Sequence, residues 1–251
     1  ITVVPHSAIF TNRANLPTFN SMAIECHLHR IPGLKEYYLY FNDDVFLGQP
    51  TTPETFFTSD GKMRLFLATT ILEPGIPTAG EEGFRAACKN TATLLNSRYW
   101  TKRRKHHAHT PYPSKKTFVS FIALRFPEVF ATVASHRFRS IADYTITNGL
   151  IPYSALHYGL GVVTPTTRTT VSFGKDPDRD QELLKELLQT RPCRIVERRR
   201  AAQQVAGQDH QEDGQDALEG GGHLRLRNPN PDADHARVRI AGGPHRKRGG
   251  W

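Results

Sequence analysis

The chain has 251 residues, 38% of them hydrophobic, and its 33 Lys and Arg outnumber 24 Asp and Glu to give a formal charge of +9. It holds no run of 18 apolar residues, which excludes a membrane-spanning helix, and its three cysteines exclude a disulfide framework and a CxxC zinc site. All 14 Phe and all 8 Tyr lie at or before Phe173. We therefore expect residues 1–192 to form the folded core. The Arg- and Gly-rich residues 193–251 should be a disordered tail, because so polar a segment buries too little apolar surface to fold.

The first 60 residues predict a helix followed by a strand. Asn20 or Ser21 is suited to cap a helix over residues 22–31, where apolar residues recur at the spacing of one helical face. A Pro-Gly pair then ends the helix. The aromatic run at residues 37–41 is typical of a buried strand.

Beyond residue 60 the pattern alternates between strand and helix. A strand is predicted at residues 63–71 and a helix at 84–100. A second helix should span residues 115–130 and be divided by Pro127, and a short amphipathic helix should span 180–188. The predicted fold class is therefore α/β.

Three polar residues, Asn42, Asp43 and Asp44, directly follow the aromatic strand. Carboxylates at the carboxyl end of a strand lie where open α/β sheets bind ligands. Hard oxygen ligands of this kind hold Mg²⁺ or Mn²⁺ against a diphosphate. The alternative is a polar turn, which spacing alone favours because Asn and Asp are common turn residues.

His109 and Arg139 are candidates for phosphate chemistry. His109 stands in a His-Thr-Pro loop, where it would contact phosphate or transfer a proton, although a lone loop His is commonly a surface residue. Arg139 could bind phosphate oxygens in bidentate fashion, with Asp143 four residues on to orient it. The alternative for Arg139 and Asp143 is a surface ion pair, and without further context that alternative is favoured.

A basic run at residues 102–105 raises the question of nucleic-acid binding. No DNA- or RNA-binding signature surrounds the run, and aromatic residues do not alternate with its basic residues. A solvated loop edge is the favoured interpretation, and we expect no nucleic-acid partner.

Two sequence blocks resemble the Stealth family of sugar-1-phosphate transferases. The first reads LPTFNSMAIECHLHRIPGL from Leu16 and YFNDDVFLG from Tyr40. The second comprises HTPYP from His109, RFPEVF from Arg125 and HRFRS from His136, followed by Asp143. These blocks are similar to the second and third conserved regions of the family. Its members include bacterial capsular polysaccharide phosphotransferases and the α/β subunits of the animal UDP-N-acetylglucosamine–lysosomal enzyme N-acetylglucosamine-1-phosphotransferase.

The resemblance implies a Rossmann-like core of the nucleotide-sugar transferase type. It assigns residues 1–60 to the second region, 61–104 to a variable connector, 105–160 to the third region and 161–192 to the end of the core. The first and fourth regions are missing from the printed sequence. We therefore expect an incomplete core that belongs to a larger enzyme.

The resemblance also implies an activity and a set of site residues. Family members move a sugar-1-phosphate, most often N-acetylglucosamine-1-phosphate, from a UDP-sugar to a glycan or glycoprotein hydroxyl, and UMP is released. His109, Arg139 and Asp44 are implied to be catalytic, and Asp43 with Asp44 would hold the Mg²⁺ or Mn²⁺ ion. The implied substrate-binding residues are Asn20, Ser21, Glu25, His29, Arg30, Asn42 and Asp143.

Two other functions and several compartments stay open at this point. The chain could be an inactive remnant that binds a nucleotide-sugar or a partner, or, as a distant third interpretation, a basic nucleic-acid binder. A eukaryotic member would belong to the Golgi, and a bacterial one to the cytoplasm or the inner-membrane surface. Any membrane contact would come from parts outside the printed sequence.

Overall fold

The computed structural model describes residues 1–165, 168–173, 176–190 and 195–200. Its first helix, α1, comprises Ser21–Glu25 and begins at an Asn20 cap, as the sequence predicts, with Asn20 Oδ1 accepting a hydrogen bond from the Met22 N–H at 3.1 Å. The prediction of one helix over residues 22–31 is wrong, because the chain leaves the α-helix after Glu25 and forms a separate 3-10 turn at Leu28–Arg30. Almost every side chain of this stretch is buried. Tertiary packing on all sides therefore overrides the helical periodicity.

The predicted aromatic strand is confirmed as β1, which comprises Tyr37–Tyr40. It pairs antiparallel with β6 (Tyr112–Lys115), and Tyr40 lies opposite Tyr112. These two strands form a sheet of their own. For that reason the β1 side chains are only partly buried, where the sequence predicts a buried strand.

The other described strands form three small sheets. The predicted strand at residues 63–71 is two strands, interrupted at Phe66, whose carbonyl accepts a hydrogen bond from the Ala108 N–H. In the first, β3 (Met63–Leu65) is parallel to β7 (Gly161–Val163), and in the second, β4 (Leu67–Leu72) is antiparallel to β5 (Arg104–His107). In the third, β9 (Ile195–Arg200) is the central strand, antiparallel to β2 (Val45–Leu47) and parallel to β8 (Arg168–Phe173). Strand β9 lies beyond residue 192, where composition places the end of the core. The rest of the predicted tail, residues 193–194 and 201–251, lies outside the described residues.

Helices alternate with these sheets, which confirms the α/β fold class. They are α2 (Gly83–Arg98), α3 (Lys116–Arg125), α4 (Pro127–Ser135), a π-helical turn at Ile146–Leu150, α5 (Ile151–His157) and α6 (Pro177–Thr190). Pro127 divides α3 from α4 as predicted, and the two helices meet at 96°. Within the described ranges no single helix is long and apolar enough to cross a membrane, and α3 with α4 pass that test only when they are taken together across the bend.

Hydrophobic clusters hold these elements in place. The largest is formed by α2, α3, α4, α5 and the π-helical turn, and Ile122 and Leu150 are fully buried in it. A smaller cluster contains Val45 and Ala108. Because Asp44 precedes Val45 and His109 follows Ala108, this cluster holds two candidate site residues at neighbouring places on the surface.

The main core generates a stability prediction. Ile122→Ala should lower the free energy of unfolding by about 2–5 kcal/mol, because it leaves a cavity at a side chain that is 0% exposed. Leu124→Ala on the same helix is the control, since Leu124 is 80% exposed and its truncation should cost less than about 0.5 kcal/mol. Urea unfolding followed by circular dichroism measures both. Equal losses for the two variants would contradict the packing of α3.

Candidate active site

The acidic turn that follows β1 is one wall of the candidate site. Asn42, Asp43 and Asp44 connect β1 to β2, and the Val45 N–H closes the turn on the Asn42 carbonyl at 3.3 Å. The Asp43 side chain is exposed and that of Asp44 is one-third exposed. Asp44 Oδ1 nevertheless lies below the surface and accepts no hydrogen bond from the described residues. One carboxylate oxygen of the turn is therefore directed inward.

His109 meets this turn from the third sequence region. Because Tyr40 lies opposite Tyr112, the loop that precedes β6 runs beside the loop that follows β1. His109 Nε2 lies 2.5 Å from Asn42 Nδ2 and 3.6 Å from Asp44 Oδ1. An amide nitrogen donates only, so in this arrangement Nε2 is the acceptor. The structure thus brings together three of the residues that the sequence predicts, Asn42, Asp44 and His109.

Asp143 forms a second centre, which is buried. Its side chain is 0% exposed and accepts hydrogen bonds from Asn20 Nδ2 at 3.0 Å, the Ser140 N–H at 2.8 Å and His136 Nδ1 at 2.7 Å. The expectation that Asp143 orients Arg139 is wrong, since its oxygens are taken by these other donors. Asn20 is also 0% exposed and uses both its amide nitrogen and its oxygen internally. Burial and these hydrogen bonds suit Asn20 and Asp143 to hold neighbouring groups in position, and their contact with a substrate stays a prediction.

Glu25 lies between the two centres. Its Oε2 accepts hydrogen bonds from the Thr147 hydroxyl at 2.6 Å and the Thr147 N–H at 3.2 Å, and its Oε1 accepts one from the Tyr40 hydroxyl at 3.4 Å. Burial raises the pKa of the Glu25 carboxyl, although these hydrogen bonds and the charge of Arg139 act in the opposite direction. With its oxygens engaged inside the protein, Glu25 joins β1 to the π-helical turn. Its contact with a substrate stays a prediction.

The remaining predicted residues of the second region differ in exposure. Ser21 is half-buried at the start of α1, and Arg30 is exposed. His29 is buried, and its Nε2 accepts a hydrogen bond from Arg30 Nε at 3.4 Å. Burial, with the charges of Arg30 and Lys116, lowers the pKa of His29 to about 4. His29 is therefore neutral at pH 7 and offers no positive charge to a phosphate.

Arg139 stands on an exposed loop that a glycine allows to pack closely. Its side chain is half-exposed and its guanidinium lies 3.8 Å from the Glu82 carboxylate, which caps α2. A Cβ atom added at Gly83 would lie 2.9 Å from Arg139 Cβ, so the loop can approach α2 only where residue 83 has no side chain. The guanidinium is thus available to an anionic ligand at the surface.

The chemistry of the acidic turn suits a metal ion only in part. Across the ranges that the structure describes, no three His, Cys, Asp or Glu side chains converge closely enough to hold a metal ion by themselves. Mg²⁺ is commonly held by one or two carboxylates while substrate phosphates and water complete its coordination. Asp44 Oδ1, which accepts no hydrogen bond there, and the exposed Asp43 fit that type of site.

Sequence reasoning assigned no role to His136, Tyr40 or Thr147. His136 and Tyr40 lie within the motifs that resemble the Stealth regions. The resemblance therefore indicated their positions, but only the structure shows their contacts with Asp143 and Glu25. Thr147 lies within the third region but outside its quoted motifs, and no sequence pattern indicates that its hydroxyl donates a hydrogen bond to Glu25.

The resemblance to the Stealth regions is confirmed by comparison with known proteins. Residues 1–65 match the family model of Stealth protein conserved region 2, and residues 108–158 match that of conserved region 3. An exopolysaccharide phosphotransferase of Streptomyces coelicolor is 38% identical over 153 residues, which are 61% of this chain and 28% of the relative. The exopolysaccharide phosphotransferase CpsY of Mycobacterium tuberculosis is 38% identical over 162 residues, 64% of this chain and 30% of the relative. The chain spans less than a third of the length of these relatives.

The buried histidines generate a prediction about pH. His27 packs against Phe10 with ring centroids 4.0 Å apart and ring planes tilted by 51°, and neither of its ring nitrogens has a hydrogen bond among the described residues. Burial lowers the pKa of His27 to about 4, as it does for His29. The unfolded chain, in which His has a pKa of about 6.5, therefore binds more protons between pH 6.5 and pH 4. Stability should fall as the pH is lowered through this window, by up to about 3 kcal/mol for each histidine.

His27→Leu removes one of these groups and tests that prediction. Urea unfolding at pH 4.5, 5.5, 7 and 8 should show a weaker pH dependence in the variant below pH 6.5. Above pH 7 the two proteins should have parallel curves, which serves as the internal control. An unchanged dependence between pH 4.5 and pH 6.5 would mean that His27 is not buried in its neutral form.

Proposed function

Because the chain belongs to the Stealth family through its second and third conserved regions, we propose that the protein transfers a sugar-1-phosphate from a UDP-sugar to a hydroxyl of a polysaccharide and releases UMP. One observation carries the proposal: Asp44 of the second region and His109 of the third lie 3.6 Å apart at the end of β1. The names of the relatives, exopolysaccharide phosphotransferases, support a polysaccharide acceptor. N-acetylglucosamine-1-phosphate is the group that we propose is transferred.

The acidic turn is the proposed diphosphate site. Asp43 and Asp44 would hold Mg²⁺ or Mn²⁺, and such an ion neutralises charge on the diphosphate when it is bound. Asn42 keeps the His109 ring in place through its amide nitrogen. Nucleophilic attack occurs at the β-phosphorus, where most of the rate enhancement of phosphoryl transfer comes from positioning and charge stabilisation.

Arg139 and His109 are the proposed phosphate contacts. Arg139 presents a half-exposed guanidinium whose five N–H donors match the oxygens of the transferred phosphoryl group. His109 would contact the phosphate from the acidic turn or accept the proton of the acceptor hydroxyl. Glu25, Asn20 and Asp143 would support both residues from inside the protein.

Single substitutions test the three proposed catalytic residues. Asp44→Ala, His109→Ala and Arg139→Ala should each lower the rate of UMP release by about 10²–10³-fold, because each removes one electrostatic contact from the transition state. The assay would use UDP-N-acetylglucosamine with a panel of neutral oligosaccharide acceptors. Asp60→Ala is the matched control, since Asp60 is an exposed carboxylate paired with Lys62 at 2.9 Å, and its loss should leave the rate unchanged.

Two outcomes would contradict this function. Near-normal UMP release in all three variants would remove the assigned site. Binding of the UDP-sugar without any UMP release by the unmodified protein would favour the alternative, an inactive remnant that retains only the nucleotide-sugar site.

Removal of divalent cations tests the acidic turn separately. Treatment with EDTA should abolish UMP release, and added Mg²⁺ or Mn²⁺ should restore it. Asp44→Asn should raise the cation concentration needed for half-maximal rate by at least about tenfold, since it weakens a direct ligand. Full activity in EDTA would show that the two carboxylates have another role.

A further inference from the structure

The strongest unassigned feature is the pair formed by His136 and the buried Asp143. His136 Nδ1 lies 2.7 Å from Asp143 Oδ1, while Oδ2 accepts hydrogen bonds from Asn20 and Ser140. Because a carboxylate only accepts, the imidazole hydrogen must be on Nδ1. In the tautomer with a single ring hydrogen, the lone pair is then on Nε2. The His136 side chain is 27% exposed, and no hydrogen bond to Nε2 is present among the described residues.

This arrangement has the geometry of an oriented general base. A carboxylate that holds Nδ1–H fixes the tautomer and the ring orientation, and it stabilises the imidazolium that forms when Nε2 takes up a proton. Asp143 is itself held by two further donors and is 0% exposed, so its position is determined by the fold. The orientation of the His136 ring is thus set from inside the protein.

His109 lacks this arrangement. Its Nε2 lies 2.5 Å from the Asn42 amide nitrogen, which donates to it, so the lone pair of that nitrogen is already used. It is held beside the acidic turn, where the diphosphate is proposed to bind. That position suits contact with phosphate better than removal of a proton from an acceptor.

His136 also stands in the loop that carries Arg139. The loop is attached to the second region, because the Phe19 N–H donates to the Arg137 carbonyl at 2.8 Å and the Thr18 hydroxyl approaches the same carbonyl at 3.4 Å. The Arg137 guanidinium lies over the Phe19 ring at 5.4 Å. His136 is therefore three residues from the guanidinium that we assign to the phosphoryl group, on a positively charged loop.

We propose that His136, oriented by Asp143, is the catalytic base that accepts the proton of the acceptor hydroxyl, while His109 contacts phosphate. This inference rests on the proposed function. The hydroxyl proton passes to His136 Nε2 as the acceptor oxygen forms a bond to the β-phosphorus. The bond between that phosphorus and the UMP oxygen breaks, and its electron pair leaves with UMP. The imidazolium then returns its proton to solvent.

His136→Asn separates catalysis from structure. An Asn amide nitrogen can replace Nδ1 as the donor to Asp143, but Asn has no counterpart to Nε2. In the full-length protein we expect an unchanged melting temperature and an unchanged KM for UDP-N-acetylglucosamine. The kcat for UMP release should fall by about 10²–10⁴-fold, the usual contribution of a positioned general base. His136→Ala should regain part of its rate when imidazole is added, because free imidazole can take the place of the missing ring.

Each outcome decides the question. His136→Asn with the wild-type kcat, while His109→Ala is inactive, would overturn this inference and leave the proposed function in place. If His136→Asn is unstable, the effect of imidazole on His136→Ala decides, and no rescue would overturn the inference. Absence of UMP release from the unmodified protein would overturn the proposed function, and this inference with it.

Discussion

The antiparallel pairing of β1 with β6 is the constraint on which the candidate site depends. It joins the second and third sequence regions at the backbone, and its register places Tyr40 opposite Tyr112. The acidic turn after β1 and the loop before β6 then lie at the same end of the two strands. Asp44 and His109 meet because of this register, and a slip of one strand by one residue would turn the side chains of that strand to the opposite face.

A buried polar network joins the same two regions a second time. Asp143 binds Asn20 across the boundary between them, and Glu25 binds Thr147. A buried carboxylate without partners would be costly, whereas one with several donors is stabilised and fixes the groups that surround it. The network therefore helps to determine the position of the loop that carries Arg139.

The sequence predicted the elements better than it predicted the contacts. The Asn20 cap, the aromatic strand and the division of a helix at Pro127 follow from local chemistry, and the structure confirms them. The resemblance to a family identified the two conserved regions, but it could not distinguish buried polar residues from exposed ones. Whether a carboxylate such as Asp143 faces a substrate or the interior depends on residues distant in sequence, such as Asn20. Local sequence patterns carry no information about such long-range contacts.

Gly83 gives the connector between the two conserved regions an influence on the site. The connector resembles the family only weakly, yet its helix α2 begins where the Arg139 loop packs, so closely that a Cβ atom at position 83 would lie 2.9 Å from Arg139 Cβ. The start of α2 and the Arg139 loop are therefore in direct contact. Lengthening or rotating α2 by changes inside the connector would move the guanidinium relative to the acidic turn. A substitution in this stretch could thus change the spacing between the Arg139 guanidinium and the acidic turn without changing any residue of either motif.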